Sequence, residues 1–149
     1  MLLDVFRPEL PLAPCRFDSS WPEAAVRDYE KRQKSEAALA FCNACVGWAH
    51  AELLPDGRVG NNPPGSDRSY LDPSNLMEVM AAAQAFWNTE NLWVHITYHQ
   101  GTFRVTIQEP DADDPKFEIL GHKLGPDLAQ AVMETCVEAK RNLDEGTRI

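Results

Sequence analysis

The stretch LWVHITYHQGTFRVTIQE, residues 92–109, decides the fold class. Val94, Ile96 and Tyr98 alternate with His95, Thr97 and His99; beyond Gln100-Gly101, Phe103, Val105 and Ile107 alternate with Thr102, Arg104, Thr106 and Gln108. Successive side chains of a strand point to opposite faces, so this period of two reads as two strands with one apolar and one polar face. Gln100-Gly101 sits where the chain must reverse, which makes the pair an antiparallel hairpin.

Its apolar face needs cover, and the flanking segments read as helices. Upstream, SSWPEAAVRDYEKRQKSEAALAFCNAC (residues 19–45) opens with Ser20 three residues ahead of Glu23, a capping box, with Pro22 tolerated in the first turn. Val26, Tyr29, Ala37, Ala40, Phe41 and Ala44 recur at spacings of three and four, which predicts a long amphipathic helix ending near Gly47. VGWAHAELL (46–54) reads as a strand running into the turn PDGR, and GNNPPGSDRSY (60–70) as a loop by composition. Asp72-Pro73 is an N-cap and first-turn pair for a second helix with the stripe Leu76, Val79, Met80, Ala83, Phe86 and Trp87. After the acidic loop PDADDP, KFEIL suits a short strand, and GPDLAQAVMETCVEAKRNL (125–143) a third helix. The expectation is an α+β fold: a small antiparallel sheet of three or four strands packed with about three helices, the first of them long. Pro8, Pro11 and Pro14 make residues 1–19 an extended arm, leaving 20–149 as a single domain.

Charge narrows the function classes. Fourteen Lys+Arg against 23 Asp+Glu give a formal charge of −9 and a pI near 4.8. Phosphate-backbone binding depends on clustered cations, so no direct nucleic-acid partner is expected. No apolar run is long enough to cross a bilayer, and MLLDVFRPELPLAPC lacks the basic start of a signal peptide, so the expected location is cytoplasmic. Four cysteines without an export signal read as reduced thiols.

The candidate sites are few. Cys42 and Cys45 lie one helical turn apart, and a zinc site would need two further ligands, with His50, His95, His99 and Cys136 to choose from. His95 and His99 are four residues apart on a strand, roughly 13 Å at strand rise, too far to share one tetrahedral ion. A redox C-x-x-C belongs at a helix start, where the dipole lowers a thiol pKa, and this pair falls at the other end. Core packing is therefore the expected role, with a metal site at Cys42, Cys45 and His50 as the lesser alternative; no cofactor is expected. Glu109, Asp111, Asp113 and Asp114 gather in a stretch without the glycine a calcium loop requires, so they suit a basic partner surface. His95, His99 and Arg104, with Trp48 or Tyr70 to stack a base, form the alternative of an anionic-ligand site.

Residues 46–141 carry a family likeness. VGW, a short strand and turn, the loop ending in YLDPSNLMEVMAAAQAF, the paired strands WVHITYHQGTFRVTIQ and the closing LGPDLAQAVMETCVEAKR resemble the phage ABA-sandwich domain, a family of small phage and prophage proteins. The resemblance implies an α+β layer fold with helices packed on a small antiparallel sheet, brings no catalytic residues, and implies a phage accessory role. The expected function is a non-enzymatic interaction protein that inhibits a host defence component, in the manner of an anti-CRISPR, acting from the host cytoplasm. The alternatives are a sponge for a cyclic nucleotide signal and, last, a metal-dependent enzyme. An apolar arm and a long helix also suit a homo-dimer.

Overall fold

The structure is a computed structural model that describes residues 22–65, 67–110 and 117–147. Among the described residues it has an α+β fold of three α-helices and two three-stranded antiparallel sheets, including a long N-terminal helix. The chain divides into two compact units, Met1–Lys31 and Arg32–Ile149. In the first, the described residues begin helix α1 (Glu23–Phe41), whose first turn carries an Arg27–Glu23 pair at 2.6 Å. The arm expected over residues 1–19 lies outside the described residues.

In the second unit, α1 buries Ser35, Ala38 and Phe41, while Ala37 is half-buried and Ala40 exposed. The buried stripe is thus shifted from the expected one, because Ser35 donates its hydroxyl to the Gly57 carbonyl at 3.3 Å and so enters the interior as a satisfied polar group. The helix ends in one π-helical turn, Cys42–Val46, closed by Gly47 at φ 81°, whose N–H reaches the Cys42 carbonyl.

The first sheet joins β1 (Ala51–Leu53), β2 (Val59–Asn61) and β3 (Ser69–Leu71) in that order. Helix α2 (Leu76–Glu90) starts three residues later than Asp72-Pro73 suggests. Asn75 is the N-cap: its Oδ1 takes the N–H groups of Met77 and Glu78, its Nδ2 donates to Glu78 at 3.1 Å, and Glu78 also accepts from the Asp72 N–H at 3.0 Å. Leu76 consequently falls on the first turn and is exposed, while Val79, Ala83, Phe86 and Trp87 are buried.

The second sheet has the order β4 (Trp93–His99), β5 (Thr102–Pro110), β6 (Phe117–Gly125). Its hairpin is regular from Trp93↔Gln108 to His99↔Thr102, and β6 is longer than KFEIL alone. One irregularity interrupts β5–β6: Ile107 pairs with Gly121 and Gln108 with Ile119, so Leu120 is an inserted residue, a β-bulge. Helix α3 (Leu128–Glu145) begins at the N-cap Asp127, which accepts from the Gln130 N–H at 3.0 Å and pairs with Lys34 at 2.8 Å. It packs on β5 and β6, burying Val105, Ile107 and Leu120 against Val132, Met133, Cys136 and Ala139. Gly121 permits this close approach: a Cβ there would lie 2.6 Å from the Thr135 carbonyl oxygen.

Candidate functional site

The face of the second sheet opposite α3 is the most distinctive surface of the second unit. The strand register sets its rows. His95 pairs with Thr106, which pairs with His122; Thr97 pairs with Arg104, which pairs with Leu124. Residues paired across an antiparallel ladder share a face, their Cβ atoms roughly 5 Å apart, so two imidazoles flank Thr106 and Arg104 lies in the adjoining row. His95, His99, Arg104 and His122 are exposed, and so are Trp93 at 50% and Leu124 at 57%. The surface therefore combines hydrogen-bonding groups, one guanidinium and apolar area, a mixture that suits a macromolecular contact.

His122 was not among the residues the sequence pointed to. It belongs to a strand whose register against β5 is displaced by the Leu120 bulge, and no local alternation announces that. Its backbone N–H donates to Glu138 Oε1 of α3 at 2.8 Å, which fixes the strand there.

The anionic-ligand constellation is only partly gathered. His95, His99 and Arg104 share a sheet face, whereas Tyr70 lies on β3 of the first sheet. Arg58 covers one face of Tyr70, its guanidinium carbon 4.6 Å from the ring centroid, and Asp56 holds that guanidinium at 2.8 Å. Trp48 is half-buried and packs against the core, a structural use of its ring. In the acidic stretch, Glu109 is a half-buried residue of β5; Asp111, Asp113 and Asp114 lie outside the described residues.

The residues of the metal alternative lie in different surroundings. Cys42 is fully buried, Cys45 half-buried and His50 exposed in the turn before β1, and among the described residues no group of three or more His, Cys, Asp and Glu side chains is placed to hold an ion. Burial pushes the Cys42 and Cys45 thiols up to about 12, and the Cys136 thiol upward as well. Thiols held protonated at neutral pH are poor ligands and poor nucleophiles. All three are free. Cys45 also lines a cavity of about 330 Å³ between the π-helical turn, α2 and α3, with Ala44, Val46, Phe86, Glu90 and Lys140 among its walls. Lys140 is drawn to Asp144 at 3.2 Å, and this contact raises its pKa.

No helix among the described residues is long and apolar enough to cross a membrane. No protein-family model, curated protein or solved structure matches the chain.

Proposed function

We propose that this chain is a non-enzymatic interaction protein that docks a protein partner on the outer face of its second sheet. The partner in this reading is a component of a host defence system, captured and inhibited in an anti-CRISPR-like manner, with the chain encoded by a phage. The single observation that supports docking is the juxtaposition of exposed Trp93 and Leu124 with His95, Arg104 and His122 on one sheet face. Large aromatic residues and arginine supply most of the binding energy in protein interfaces, and hot spots contribute about 2 kcal/mol or more each. The phage context rests on the family resemblance alone.

The test is capture of purified defence complexes on the immobilised protein, run beside Trp93→Ala, Arg104→Ala and a charge reversal of Asp111, Asp113 and Asp114. Loss of roughly thirtyfold in affinity on Trp93→Ala is expected from a hot spot of that size. Unchanged affinity in both sheet variants would remove this face from the mechanism, and loss confined to the aspartate variant would move the contact to the acidic stretch.

A second reading, sequestration of a small molecule such as a cyclic nucleotide, rests on His95, His99 and Arg104 on one sheet face, with the cavity beside Cys45 as a second candidate place. The cavity volume of about 330 Å³ falls at the lower end of small-ligand sites. A rise in unfolding temperature with cyclic nucleotides, abolished by Lys140→Ala or by Arg104→Ala, would place the ligand in the cavity or on the sheet respectively.

A further inference from the structure

We propose that β4 pairs antiparallel with β4 of a second copy of this chain, across a two-fold axis at Ile96, joining two three-stranded sheets into one of six strands. The inference is independent of which partner the outer face meets.

Strand β4 is an outer strand with β5 as its neighbour, and among the described residues no further strand pairs with it. Outer strands ordinarily carry devices against pairing: a proline, a lysine, a bulge, an inward charge or a covering element. Residues 93–99, WVHITYH, hold no Asp, Glu, Lys, Arg, Pro or Gly, and their ladder with β5 runs without a bulge. Five of the seven, with Tyr98 and the β-branched Val94, Ile96 and Thr97 beside Trp93, are of types enriched in strands. The other outer strand is treated in the opposite way. Strand β6 carries the Leu120 bulge, and α3 takes two of its backbone groups: Asn142 Nδ2 donates to the Leu120 carbonyl at 2.6 Å, and Glu138 accepts from the His122 N–H.

The occupant follows from charge and symmetry. A chain of net charge −9 repels its own copies, so two of them meet most readily along a seam free of carboxylates, and β4, with no Asp, Glu, Lys or Arg, is such a seam about 23 Å long at strand rise. Directly opposed residues of an antiparallel pair must share both face and hydrogen-bonding direction, which limits a two-fold pairing to registers whose residue numbers sum to an even value. Of these, the register centred on Ile96 alone pairs the whole strand. It sets Ile96 against the partner's Ile96, Val94 against the partner's Tyr98, His95 against the partner's Thr97, and Trp93 against the partner's His99. Ile96 and Tyr98 are 38% and 63% exposed, because α3 covers β5 and β6 rather than β4. The pairing brings this apolar surface onto its own copy, with no like charges opposed.

Sedimentation of the full chain over roughly 1 to 100 μM, the range where modest interfaces associate, tests this. The expected mass rises towards twice 16.7 kDa, with association strengthened by added salt because screening relieves the repulsion of two acidic chains. Ile96→Lys, which opposes two lysines on the axis, should hold the protein at the monomer mass with an unchanged circular dichroism spectrum. Ile96→Cys should form an interchain disulfide on mild oxidation, while Leu124→Cys on the far strand should not. A monomer across the whole range, or a dimer that Ile96→Lys leaves intact, would overturn the proposal.

Discussion

The two outer strands of the second sheet face the same physical problem and are finished differently. Both end a ladder, and both would expose backbone donors and acceptors to any passing strand. Strand β6 is closed by a bulge, by the Asn142 and Glu138 side chains of α3, and by the contact of Gly121 with the Thr135 backbone. Strand β4 is regular, free of Asp, Glu, Lys and Arg, and partly apolar on both faces. The difference shows that α3 does two jobs with one face: its apolar residues cover the sheet, and its polar residues at positions 138 and 142 close one edge. Beyond the reach of α3, the edge of β4 has no such closure among the described residues.

Opening the closed edge is the most severe way to break this comparison. Gly121→Ala would set a methyl group 2.6 Å from a backbone oxygen of α3, and the helix must move to admit it. A loss of about 3 kcal/mol in urea unfolding is expected, the upper end for overpacking. Thr135→Ser should not rescue it, since the nearest atom is main-chain carbonyl rather than the threonine methyl. Asn142→Ala should act less strongly, by about 2 kcal/mol, because it leaves the buried Leu120 carbonyl without its donor. The same denaturation series checks both.

A smaller effect sharpens the comparison through pH. Asp127 caps α3, and its carboxyl lies below its ordinary value of 3.8: burial pushes it upward, but the Lys34 ammonium and the Gln130 N–H outweigh that. A carboxylate depressed in the folded state contributes stability that is full above the unfolded pKa and disappears as pH falls through the folded one. Stability should therefore decline on acidification below about pH 4, and Asp127→Asn, which keeps a capping oxygen but loses the ion pair with Lys34, should flatten that decline while slightly lowering stability at neutral pH. The partial exposure of the Lys34–Asp127 pair keeps the effect small.

Legibility in the sequence followed burial. The hairpin 92–109 was readable because Val105 and Ile107 are wholly buried, and a buried face forces a strict period of two. The first two helices were readable from their apolar spacing, yet α2 began later than expected because Asn75, not Asp72, found both a pair of N–H groups and a glutamate to complete the cap. Strands β2 and β3 escaped notice: three residues each, inside a Gly- and Pro-rich stretch, they hold together by pairing rather than by local preference. The expected small sheet is accordingly two separate ones. His95, His99 and Arg104 were correctly placed on one polar face, whereas His122 depended on a register that the Leu120 bulge displaces.

The most direct test of the contrast between the two edges is amide hydrogen exchange followed at several protein concentrations. Protection along residues 93–99 should rise with concentration as copies pair, while protection at His122, held by Glu138, stays constant. Exchange in β4 that is the same at every concentration would contradict the account, and show that this edge, for all its lack of protection, remains unpaired by its own copy.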